Sequence, residues 1–197
     1  MSEELIVGID LGTTNSELAV IREQIEVIPI HGNPIMPSCV GLDPSGQLIV
    51  GQAARNQLIA APDSTILSIK RRMGEVVKVP LGDKEYSPEE ISSFILRELK
   101  KEGERVLGQT IRKAVITVPA FFNERQRKAT QVAGDLAGLE VVRIINEPTA
   151  AALAYGAGVK EGETMLVYDL GGGTFDVSVV VVEQGVVEVK ARRRWKG

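Results

Sequence analysis

A single cysteine, Cys39, is all the thiol this chain carries, so no internal disulfide can staple it. That fits a reducing, cytoplasmic setting, and Cys39 reads as a small buried or half-buried hydrophobe. The one histidine, His31, belongs to no catalytic pattern and reads as a surface or turn residue. No charge sign dominates: 23 basic and 26 acidic residues give a net −3, too weak a field to recruit nucleic acid or an acidic membrane. Long apolar runs are missing as well. The most apolar late stretch, Val177 to Val182, is interrupted by Ser178 and bracketed by Asp176 and Glu183, and the start, with Glu3 and Glu4, lacks the basic residues of a signal peptide. Two common phosphate signatures are absent: no Gly-x4-Gly-Lys-Ser/Thr loop occurs, and no Gly-x-Gly-x-x-Gly opens a helix after a strand.

What is present is a duplicated turn. Asp10-Leu11-Gly12-Thr13-Thr14 and Asp169-Leu170-Gly171-Gly172-Gly173-Thr174 each follow an apolar strand and precede another. Both read as β-hairpins with glycine at the bend. Glycine lets main-chain N–H groups approach a phosphate without a side chain in the way, threonine hydroxyls add donors, and each aspartate ends its strand as a hard oxygen ligand suited to magnesium. An Asp-x-Gly-Thr sequence is often only a tight turn. Two matching copies facing each other would clamp a nucleoside triphosphate and its metal.

Between the turns, Ile25 to Ile30 reads as a strand, and Asp43-Pro44-Ser45-Gly46 as a type I turn joining short strands. Ser87-Pro88-Glu89-Glu90 predicts a helix start, with Ile91, Phe94, Ile95 and Leu99 on its buried face. Lys113 to Val118 reads as a core strand stopped by Pro119. Asn123 with Gln126 caps a second helix ended by Gly138, Leu139 to Ile145 returns as a strand, and Glu147-Pro148 opens a short alanine-rich helix ending at Gly156. The alternation predicts an α/β fold, a mixed sheet flanked by helices. At 197 residues the chain suits one domain plus the start of another, with the hinge in Gly156 to Thr164.

The words around these turns, Gly8 to Ser16, Val118 to Asn123, Asn146 to Gly156 and Asp169 to Asp176, resemble the nucleotide-binding domain of the DnaK-type seventy-kilodalton heat-shock chaperones, within the actin and hexokinase superfamily. The resemblance covers nearly all of residues 4 to 190. It implies an actin-like (ribonuclease H-like) ATPase lobe over 1–163, with a smaller subdomain at about 39–111, and the first hairpins of a second lobe at 164–197. By the same resemblance Gly12, Thr13, Thr14, Asn15, Gly171, Gly172 and Gly173 cradle ATP or ADP, and Asp10 and Asp169 face Mg2+. Lys70, Glu147 and Thr174 serve the γ-phosphate and attacking water, and Pro119 and Arg127 relay the nucleotide state. The implied partners are unfolded client peptides, a J-domain co-chaperone and a nucleotide exchange factor, with no nucleic acid or membrane.

Plainer readings stand beside these. Lys70-Arg71-Arg72 is equally a solvated basic face, Glu147 a helix-dipole partner, and Arg127 a surface residue. A sugar or small-acid kinase, or an actin-like filament subunit, shares the superfamily signature, although the words at Val118 to Asn123 and Asn146 to Gly156 favour the chaperone branch. The stretch between Gly74 and Ser87 is compact, as in members lacking an extra segment there. The tail Ala191 to Gly197 matches none of the family words, and the expectation is a truncated fragment whose valine-rich final hairpin, joined around Gln184-Gly185, self-associates.

Overall fold

The computed structural model describes residues 4–155, 162–172, 174–183 and 186–196. Residues 156–161 of the hinge expected over Gly156 to Thr164, the turn at Gln184-Gly185, and Gly173 lie outside them. The chain divides into two compact units, Met1–Ile116 with Asn123–Ile144, and Thr117–Phe122 with Ile145–Gly197.

In the first unit, β1 (Ile6–Leu11), β2 (Asn15–Ile21) and β3 (Ile25–Val27) are followed by the short β4 (Met36–Pro37). The strand expected over Ile25 to Ile30 is shorter than that: β3 ends at Val27, and Ile28 and Ile30 are nonetheless fully buried. Next come β5 (Cys39–Leu42), β6 (Leu48–Val50), α1 (Gln52–Asn56), β7 (Thr65–Leu67), a 3-10 turn (Ile69–Arg72), β8 (Val79–Leu81) and β9 (Lys84–Tyr86). Helix α2 (Pro88–Leu107), β10 (Lys113–Val118), α3 (Glu124–Leu136) and β11 (Glu140–Asn146) complete this run. The main sheet has the order β11-β10-β1-β2-β3, with β4 paired to β2. β6-β5-β7 and β8-β9 form separate small sheets.

Local chemistry explains these elements. Ser87 accepts from the Glu90 N–H at 3.2 Å while the Glu90 carboxylate accepts from the Ser87 N–H at 2.6 Å, a reciprocal cap that starts α2. Asn123 and Gln126 make the same exchange at the start of α3. The exposed carbonyls at the end of α3 are taken by α2: Arg97 Nε donates to Leu136 O at 3.1 Å and Lys100 Nζ to Gly138 O at 2.8 Å. In the Asp43 turn, Gly46 N–H bonds Asp43 O at 2.9 Å, as a type I turn requires.

The core is the inner face of this sheet and the helices on it. Val7, Ile9, Leu11, Leu18 and Val20 alternate inward, and Ile91, Ile95 and Leu99 of α2 are fully buried, whereas Phe94 is half-buried. Two helical glycines set the approach of helix to sheet. A Cβ on Gly103 would lie 2.9 Å from Ile111 and 3.1 Å from Leu18, and one on Gly134 would lie 2.3 Å from Val141. Each glycine costs about 1 kcal/mol of helix propensity against alanine, offset by close packing. Cys39 is buried, and burial pushes its thiol up to about 11, so the thiolate needed for reactivity is scarce at neutral pH.

The second unit contains α4 (Glu147–Tyr155) against an antiparallel sheet of order β12-β13-β14, built from β12 (Thr164–Leu170), β13 (Thr174–Glu183) and β14 (Val186–Lys196). The tail from Ala191 is therefore no appendage. It continues β14, pairing Ala191 with Val179 and Trp195 with Phe175. The Trp195 and Phe175 rings stack at 5.3 Å between centroids, and the Arg192 and Arg194 guanidiniums lie 4.9 and 4.8 Å from the Phe121 ring. Among the described residues no helix is long and apolar enough to cross a membrane.

Candidate functional site

Each duplicated turn folds as an antiparallel hairpin with the same register. In the first, Leu11 pairs Ser16 and Asp10 pairs Glu17; in the second, Leu170 pairs Phe175 and Asp169 pairs Asp176. Each aspartate at the end of the incoming strand thus faces a second acid across the ladder. Directly opposed like charges disfavour a hairpin. The second acids, Glu17 and Asp176, were missed by sequence reasoning; their signal is that each follows its aspartate by seven residues.

The surroundings treat the two pairs differently. Glu17 is pushed above the ordinary carboxylate range, first by burial and then by the negative charge of Asp10. Asp176, 8% exposed, is instead bonded by Arg194 from β14, with Nε to Oδ1 at 2.7 Å and Nη2 to Oδ2 at 2.5 Å. This fork-on-carboxylate geometry is the strongest form of such a pair.

The bends differ too. A Cβ on Gly12 would sit 2.0 Å from the Asn15 carbonyl oxygen, so only glycine fits there; on Gly171 the nearest atom is 3.6 Å away. The Gly12 turn is braced from outside. Ser38 donates its hydroxyl to Gly12 O at 2.8 Å and its N–H to Thr14 O at 2.8 Å, and its Oγ lies 2.8 Å from the Ser16 hydroxyl. Ser38 carried no sequence signal, because its partners are more than twenty residues away. In the second bend Gly171 N–H bonds Thr174 O at 3.0 Å.

In the first hairpin Asp10 and Thr14 are exposed while Thr13 and Asn15 are half-buried; in the second Asp169 and Thr174 are half-buried and Gly172 is exposed. Lys70 lies in the 3-10 turn after Ser68, whose φ of 55° is left-handed, and is only 5% exposed. The solvated-face reading therefore fails for Lys70. It holds for Arg71, which is exposed, while Arg72 is half-buried and pairs Glu75 at 3.3 Å. Glu147 is half-buried at the start of α4, and Arg194 feels its charge together with that of Asp169. Pro119 is buried where β10 ends, its carbonyl accepting from Phe122 N–H at 3.0 Å, and Arg127 is half-buried on α3. Asp10, the Gly12 turn, Lys70 and Arg127 belong to the first unit, and Pro119, Glu147, Asp169 and the Gly171 turn to the second.

Two other features lie outside these words. His31, an exposed turn residue with φ 51°, places Nε2 at 2.8 Å from Glu98 and Nδ1 at 3.4 Å from Glu102, whose carboxylates also meet Lys101 at 3.8 Å and Arg105 at 2.9 Å. This arrangement is an ion network on α2. An open apolar groove in the first unit is lined by Val76, Val77, Ala129, Val132 and Leu136, and none of the expected site residues lines it.

The sequence profile of the family described as Hsp70 protein matches residues 6–80 and 75–194. That match runs through Arg194, which corrects the expectation that everything after Lys190 lies outside the family pattern. The proteins named Chaperone protein DnaK from Thermotoga neapolitana and Thermotoga maritima are each 57% identical over 194 residues, covering 96% of this chain and 32% of theirs. The one from Thermosipho africanus is 54% identical over 193 residues, with the same coverage. The chain spans about a third of the length of the curated relatives it matches. On the profile match and this identity together, the chain belongs to the Hsp70 family.

Proposed function

We propose that the chain supplies part of the nucleotide-binding ATPase domain of a cytoplasmic, DnaK-like molecular chaperone. The single observation that carries this is the repeated hairpin, with the same Asp-to-acid register on β1-β2 and β12-β13. The lobes follow the actin-like plan, with lobe one at 1–163, its smaller subdomain at about 39–111, and the start of lobe two at 164–197.

The donor chemistry fits a hard cation and phosphates. Asp10 and Glu17 set two carboxylates opposite each other on β1 and β2, and the Gly12 bend leaves no room for a Cβ beside the Asn15 carbonyl. Bound magnesium would supply charge neutralisation to the phosphates. Asp10 and Asp169 would be the residues to hold it. Thr13, Thr14, Asn15 and the glycines of both bends bind ATP or ADP through main-chain N–H groups and hydroxyls. Lys70, itself buried in its 3-10 turn, offers a fixed cation to charge developing on the γ-phosphate. Glu147 orients the attacking water and Thr174 gives a hydroxyl to the γ-phosphate. Pro119 and Arg127 pass the nucleotide state onward to a peptide-binding region, client peptides, a J-domain co-chaperone and an exchange factor.

The test joins this chain to the remaining length of a DnaK relative and compares it with its Lys70→Ala variant. Because a lysine aimed at the γ-phosphate acts on the transition state, single-turnover hydrolysis should fall at least about a hundredfold while ATP affinity changes little. Hydrolysis within about threefold of the parent would remove Lys70 from the reaction.

A further inference from the structure

Three strands place three charged residues in one lateral row: Asp169 on β12 pairs Asp176 on β13, and Asp176 pairs Arg194 on β14. Directly opposed residues of an antiparallel ladder share one face of the sheet. Arg194 closes the row with two hydrogen bonds to Asp176, and its side chain is held from the other direction by the Phe121 ring at 4.8 Å. The guanidinium is pushed above its ordinary range first by these bonds to Asp176, then by the charges of Asp176, Glu147 and Asp169.

We propose that Arg194 is a built-in competitor of the divalent cation at the second hairpin, occupying Asp176 and placing fixed positive charge one strand away from Asp169. This rests on the reading of Asp169 as a metal-facing residue. Arg194 acts through Asp176 and its own charge, so it is a positioning residue rather than a catalytic one.

The consequence is specific to one arginine. Arg192 lies over the same Phe121 ring at 4.9 Å but pairs Ser178 in the ladder and has no acid opposite it. Arg192→Gln removes the same formal charge from the same strand without releasing Asp176.

The experiment titrates Mn2+ alone, without nucleotide, into the 197-residue chain and reads free Mn2+ by electron paramagnetic resonance. Arg194→Gln should bind Mn2+ at least about tenfold more tightly than the parent, Arg192→Gln less than about threefold, and Arg194→Lys in between, because it keeps charge but loses the fork. Amide-exchange protection of β13 is followed in each variant. If Arg194→Gln frays the sheet, the comparison of Arg194→Lys with the parent decides. Equal affinity in the parent and the Arg194 variants overturns the competitor role and leaves the reading of Asp169 standing. A gain that survives the added Asp169→Asn change supports Arg194 as competitor but moves the ion off Asp169, overturning that reading instead. An equal gain in Arg192→Gln means general charge alone is at work and overturns the inference.

Discussion

Asp10 and Glu17 stand opposite each other on β1 and β2, and Glu17 is pushed above its ordinary value of 4.5 by burial first and by Asp10 second. The folded chain therefore holds the Glu17 proton to higher pH than the unfolded chain does. Stability falls as pH rises from the ordinary carboxylate value through the raised one, since the native state binds more protons across that window. Glu17→Gln should remove this slope and stabilise the chain at neutral pH by less than about 1 kcal/mol, the scale of a cross-strand pair. Urea midpoints across about pH 4 to 8 check this. Parallel curves for parent and variant would show that the pair carries no strain.

The two bends should respond differently to one added methyl group. Gly12→Ala drives a Cβ into the Asn15 carbonyl, 2.0 Å away, and also disturbs the carbonyl that Ser38 binds. We expect a loss of about 1–3 kcal/mol, typical of forced overpacking. Gly171→Ala meets its nearest atom at 3.6 Å and should cost less than about 1 kcal/mol. Chemical denaturation of both variants measures the contrast; equal losses would mean the first bend relaxes around the methyl group.

One face of the second unit's sheet carries Leu166, Tyr168, Leu170 and Trp195, which are 51%, 64%, 83% and 42% exposed. A contiguous apolar face beside open strand edges favours pairing with another chain. Concentration-dependent self-association in sedimentation is the expected outcome for this chain, reduced by Tyr168→Lys with Leu170→Lys. A strict monomer at the highest soluble concentration, with β13 strongly protected from exchange, would contradict it.

How much of this was legible depended on the range of the interaction. The capped helix starts at Ser87 and Asn123, the strand Lys113 to Val118 and both glycine bends follow from neighbours within a few residues, and all appear as read. The brace from Ser38 to Gly12, the close approaches at Gly103 and Gly134, and the burial of Lys70 depend on partners brought in by the fold. The tail shows the same limit. Ala191 to Gly197 match none of the family words as read, yet in-register pairing places Arg194 on Asp176 and so extends β14. Of the site words, the hairpin residues were readable because the motif recurs, whereas the acids facing each aspartate emerge only from the register.

The proposal that the Gly12 hairpin and the Gly171 hairpin each contact nucleotide phosphates is tested most directly by amide chemical shifts during a titration with Mg-ATP. Saturable shifts at Thr13 to Asn15 and at Gly171, Gly172 and Thr174 are the expected outcome. The dissociation constant should be about millimolar, near −4 kcal/mol. Shifts at one hairpin alone, or only along the Val76 to Leu136 groove, would contradict it.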